Sequence, residues 1–107
     1  MYVIVWEFQV ASERLAAFER AYGPDGDWAA FFKRSDAFRG CDLLRGEKDE
    51  DAPSAGDLAY YWTIDRWDSR DAYEDFSARF DSEYTALDTR LAELCDLEVC
   101  LGKFETV

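Results

Sequence analysis

The stretch Tyr60-Tyr-Trp-Thr-Ile-Asp-Arg-Trp-Asp-Ser-Arg-Asp-Ala-Tyr73 constrains this chain more than any other. Its first eight residues alternate, and they are aromatic or β-branched where a pleated strand wants them. Asp68-Ser69 then supplies turn and N-cap chemistry, and a pattern of helical period begins at once. Tyr60, Trp62 and Ile64 share one face of the strand, and Tyr61, Thr63, Asp65 and Trp67 share the other. The first face is apolar enough to lie under helices. The second, which mixes polar groups with an indole, is expected to be helix-free and to border a sheltered space.

The remaining elements follow in order. Tyr2 to Val10 alternates as a strand, with Ile4, Trp6 and Phe8 on one face and Val3, Val5, Glu7 and Gln9 on the other. Ser12 can cap a helix carrying Leu15, Phe18 and Tyr22, and Gly23-Pro24-Asp25-Gly26 ends it in a turn. Asp27 can cap a short second helix from Trp28 to about Arg34. Phe38 to Glu47 reads as a strand whose two glycines hint at a bulge or an edge. Lys48 to Asp57 reads as an acidic loop that joins this strand to the next in a long hairpin. After the central stretch, Tyr73, Phe76, Phe80, Tyr84, Leu87, Leu91 and Leu94 recur in steps of three and four. They mark one long amphipathic helix or two broken near Asp81-Ser82. Leu97 to Glu105 gives a last strand.

Strand, helix, strand, strand, helix, strand is the ferredoxin-like βαββαβ order, an α+β fold with an antiparallel sheet and helices on one face. At 107 residues the chain is expected to be a single domain spanning residues 1–107. Val3, Val5, Tyr61 and Trp67 are expected on the helix-free face, which argues that something covers it. Eighteen aromatics exceed what a core of this size needs, so some should line a pocket or an interface.

Charge excludes whole classes of partner. A net charge of −12 repels nucleic acid and anionic membrane, and no apolar run is long enough to span a bilayer. Cys41, Cys95 and Cys100 show no ligand spacing, and the chain has no His, so no metal site is expected. Free thiols and the absence of a secretory leader point to a reducing cytoplasm. No glycine-rich fingerprint follows a strand, so no flavin or nicotinamide cofactor is expected.

The opening strand Val3-Ile-Val-Trp-Glu-Phe8 and the block Thr63-Ile-Asp-Arg-Trp-Asp-Ser-Arg-Asp-Ala-Tyr73 resemble the antibiotic biosynthesis monooxygenase (ABM) family of dimeric α+β barrels. The segment Tyr22-Gly-Pro-Asp-Gly-Asp-Trp28 is similar to a feature of a bacterial subgroup with no assigned activity. The resemblance implies a homodimer paired through its sheets, each protomer enclosing a pocket between sheet and helices. It implies further that Trp67 lines that pocket, that Glu7 matches a polar first-strand position, and that Tyr73 matches a functional tyrosine. The asparagine of some members falls near Thr63, where this chain departs from the pattern. Haem-degrading relatives use an axial His that this chain lacks, so haem degradation is not expected.

Two functions compete on these residues. One is cofactor-independent oxygenation of a small phenol- or anthrone-like aromatic. Glu7 or Asp65 would be the base, Glu7 and Trp67 the leading catalytic candidates, and Trp28, Tyr61, Thr63, Asp65 and Tyr73 the pocket. The other is a non-catalytic dimer that binds a hydrophobic small molecule or a protein partner. A cavity with Glu7 and Trp67 facing each other would favour ligand chemistry, and solid packing there would favour a mere seam.

Overall fold

Alternation along Tyr2–Val10 produces a half-buried strand, β1, whose Ile4, Phe8 and Val10 are almost wholly inaccessible. The computed structural model describes residues 1–47 and 58–107. The loop expected over Lys48–Asp57 lies outside them. After β1 come α1 (Leu15–Tyr22), α2 (Asp27–Phe32), β2 (Phe38–Arg45), β3 (Ala59–Trp67), α3 (Arg70–Arg79), α4 (Asp81–Leu91) and β4 (Leu97–Glu105). The sheet is antiparallel, in the order β2-β3-β1-β4, so the fold is ferredoxin-like α+β, as the element order predicted.

Local chemistry explains most of the boundaries. Ser69 caps α3, its hydroxyl accepting from the Ala72 N–H at 3.1 Å. Phe80 separates α3 from α4, where the sequence placed a break. Ser12 does not cap α1: it opens a 3₁₀ turn, Ser12–Arg14, and no side chain caps the helix behind it. Asp27 is the first residue of α2 rather than its cap, a place taken by Gly26. A Cβ on Gly26 would collide with the carbonyl oxygens of Arg20 and Ala21, so α2 starts hard against the end of α1. The bulge foreseen in β2 occurs at Gly40, whose φ of 102° suits only glycine, and the pairing with β3 shifts there.

The faces of β3 are the reverse of the expectation. In the antiparallel register Tyr2 lies opposite Trp67 and Glu7 opposite Trp62. Residues directly opposite share a face. Tyr61, Thr63, Asp65 and Trp67 therefore join Tyr2, Ile4, Trp6 and Phe8 under the helices. Val3, Val5, Glu7 and Gln9 join Tyr60, Trp62 and Ile64 on the helix-free side. Both faces of β3 are rich in aromatics, so parity alone could not choose between them; burial does. Tyr61 and Trp67 are 1% and 0% exposed, against 38% and 39% for Tyr60 and Trp62.

The core is an aromatic stack under the helices. Phe18 and Tyr22 stack with centroids 4.3 Å apart, and Phe8 closes on Tyr22 at 4.9 Å. Phe31, Phe32, Phe76 and Phe80 continue the contacts toward α3. The opposite, open face leaves Leu44, Trp62, Val99 and Phe104 exposed, Phe104 to 53%.

Candidate functional site

On the helix side of the sheet, β1 and β3 meet the inner faces of α1, α2 and α4 around a small cleft. Trp6 and Phe8 of β1, Tyr22 of α1, Trp28 and Phe32 of α2, and Tyr84 of α4 form its aromatic walls. Cys41, Thr63, Asp65 and Glu98 supply its polar surface. Its free space is about 30 Å³, room for roughly two waters. A six-membered ring enters only if a wall moves, and Trp6 and Tyr84 are the half-buried walls. A wider groove of about 610 Å³ between α2 and α4 is open to solvent and carries the exposed Asp27–Arg90 ion pair, 3.0 Å.

Asp65 is the chemically unusual group. Burial raises its carboxyl to about 7, and the neighbouring Arg66 offsets only part of that shift. Among the described residues no side chain bonds to it. Arg66 instead pairs with Asp42 at 2.9 Å on the other side of the sheet. Asp65 lies across the ladder from Cys41, whose buried thiol is pushed up to about 11 and is therefore protonated at neutral pH. Burial likewise raises the Tyr22 and Tyr84 hydroxyls. Glu98, at the solvent-facing rim, is raised by partial burial of its carboxyl and by Asp88. The Trp28 indole N–H is buried and only weakly engaged, by the Tyr22 hydroxyl, with no well-formed hydrogen bond. The cleft therefore holds one proton acceptor poised near neutrality and one weakly engaged donor.

Three of the residues expected in a pocket, Trp28, Thr63 and Asp65, are brought together here. The others are elsewhere. Glu7 is on the open face, where it accepts from the Trp62 indole at 3.0 Å, one sheet thickness away from Trp67. Trp67 is packed solid among Phe32, Phe38, Tyr73 and Phe76, with centroids 5.2–5.4 Å away. Tyr73 packs on it from α3. Tyr61 donates its hydroxyl to Glu19, and burial together with that carboxylate raises it to about 12. Trp67→Ala should therefore act first on stability, costing about 3–5 kcal/mol in a denaturant titration. A loss below about 1 kcal/mol would contradict this packing.

The sequence reading missed Trp6, Tyr22, Cys41, Tyr84 and Glu98 as cleft residues. A signal existed for Tyr22, the first residue of the segment that ends at Trp28 and that already stood out. For Glu98 and Cys41 it required the strand register. Among the described residues no three His, Cys, Asp or Glu side chains are placed to hold a metal ion, and no helix is long and apolar enough to cross a membrane.

No family model matches the chain, and no curated protein matches it significantly. Solved structures do. The cofactor-independent oxygenase SnoaB from Streptomyces nogalater is 26% identical, with a TM-score of 0.63 over 99% of this chain and 92% of that one. An asparagine-to-alanine variant of SnoaB gives 26% and 0.64 over 98% and 91%. An anthrone oxidase-like protein shares the fold at 18% identity and a TM-score of 0.65, over 96% of this chain and 45% of its own length. The resemblance to the ABM family read from the sequence is borne out by these neighbours.

Proposed function

We propose that the chain is a cofactor-independent oxygenase that takes a small electron-rich aromatic, phenol- or anthrone-like, into the cleft, with Asp65 as its base. The observation that carries this reading is the unpaired Asp65 carboxyl, held near neutrality among aromatic walls. The likeness to SnoaB over nearly the whole chain supports the reaction type.

Such chemistry needs no bound redox group if the substrate is the reductant. Asp65 takes the proton of a phenol or of an anthrone methylene, leaving an electron-rich anion. The anion passes one electron to O₂, and the two radicals join through a new C–O bond. The protonated Asp65 returns its proton to the peroxide. Loss of water, with the O–O bond breaking and the second C–H proton leaving, gives a quinone carbonyl. In balance, the substrate loses two hydrogens and gains one oxygen, and the other oxygen leaves as water. The buried Trp28 N–H can donate to the substrate oxygen as its charge develops. The asparagine implied by the resemblance falls near Thr63, where this chain departs from the pattern, and in our reading Trp28 is the donor. Glu7, on the other face, has no part in the chemistry.

The test is oxygen uptake with an anthrone or a phenol bearing a free para position, together with quinone absorbance. Uptake above the buffer rate, one water-forming turnover per quinone and no product under nitrogen are expected. Saturable binding without added uptake would favour the non-catalytic binding module instead.

We also infer that the open sheet face is the seam of a homodimer. Val5, Ile64, Trp62, Val99 and Phe104 would otherwise leave a continuous apolar patch in water.

A further inference from the structure

We propose that the aromatic entering this cleft carries an alkylammonium group rather than a carboxylate, and that Glu98 selects for that charge. This rests on the reading of the cleft as the substrate site. Two observations carry it. The polar groups able to bear charge in the cleft are carboxyls, Asp65 and Glu98, and no Lys or Arg lines it among the described residues. The walls around those carboxyls are the π faces of Trp6, Tyr22, Trp28 and Tyr84, and rings of this kind attract ammonium ions. The Asp65 carboxyl, buried in the cleft wall and without a side-chain partner among the described residues, marks the same space as built for a polar ligand and not simply packed shut.

The chemistry gives a reason for the preference. A neutral phenol deprotonated beside Glu98 becomes an anion next to an acid, and its formation is opposed. An ammonium on the same molecule makes the deprotonated form a zwitterion, which the acid-lined cleft tolerates. Glu98 lies on the edge strand β4, opposite Phe8, and is exposed, so it meets the solvent-facing end of a ligand while Asp65 meets the buried end. The overall charge of −12 acts in the same direction but without regard to position.

The experiment is a binding titration at low salt and pH 8, using 3-(2-aminoethyl)phenol, 3-ethylphenol and 3-(3-hydroxyphenyl)propanoate as cationic, neutral and anionic probes of similar size, each with its para position free. The expected order is amine, then neutral, then acid, with amine and acid separated by at least about tenfold. In Glu98→Gln the separation should shrink to about threefold or less. Glu47→Gln, the same charge change beyond the opposite edge of the sheet, should leave it as in the parent. An acid that binds as tightly as the amine overturns the proposal. So does a separation that Glu98→Gln leaves intact, or a failure of all three probes to bind. Oxygen uptake is scored separately. The amine-first order without uptake refutes the oxygenase and spares the charge preference, whereas uptake with the acid bound best does the reverse.

Discussion

Asp65→Asn is expected to make the protein more stable and less active in one step. The carboxyl titrates at its ordinary 3.8 in the unfolded chain and at about 7 in the folded one. Between those values the folded state holds the extra proton, so stability falls as pH rises from about 4 to 7 and levels off above. The fold bears the full cost of burying the charge only above pH 7. Asparagine removes that charge but leaves a buried amide, so a gain of roughly 1–3 kcal/mol at pH 8 is expected, and little at pH 4. Urea unfolding at pH 5 and pH 8 should show most of the parent's slope missing in the variant. The same slope in both would mean that Asp65 is not the titrating group. Turnover should fall by roughly 10²–10⁴-fold if the carboxylate is the base, and the parent's rate should climb with pH to a plateau above about 7. A fully active asparagine variant would remove Asp65 from the mechanism.

Val5→Arg should convert a dimer into a folded monomer. Val5 sits mid-strand in β1, between Ile64 of β3 and Gly102 of β4, at the centre of the open face. In an isolated protomer an arginine there points to water, so the helical side of the fold is untouched. In a face-to-face pair it would bury two unpaired guanidinium groups near the two-fold axis, a cost of several kcal/mol against an interface of ordinary size, roughly 800 Å² per partner. Light scattering should give twice the chain mass for the parent and the chain mass for Val5→Arg, with unchanged circular dichroism. A monomeric parent at micromolar concentration would refute the seam outright.

The order of elements was legible because each one carries its own local signal. The alternation of β1, the Ser69 cap and the three-and-four spacing from Tyr73 to Leu91 are written in neighbouring residues. The resemblance carried by the opening strand and the Thr63–Tyr73 block named the fold. What could not be read locally was which face of β3 the helices cover. Alternation puts Val3 and Val5 on the open face, where they lie, but it equally allows Tyr61 and Trp67 beside them, because that relation lives in the register between two strands far apart in the chain. The same ambiguity brings Glu7 and Trp67 to one face on paper, whereas the register sets them on opposite faces and leaves Asp65 under the helices. Tyr84 and Glu98 were invisible for a related reason: they come to the cleft from the last helix and last strand, and no short pattern ties them to Trp28 or Asp65.

The glycine at the start of α2 sets how closely the two pieces of this crossover can approach. With no room for a Cβ between residue 26 and the carbonyl oxygens of Arg20 and Ala21, any side chain there would push α2 outward. Trp28 and Phe32 ride on α2 and line the cleft, so its width depends on an atom this chain does not have. A larger residue at position 26 would act as a wedge, shifting an aromatic wall that it never touches.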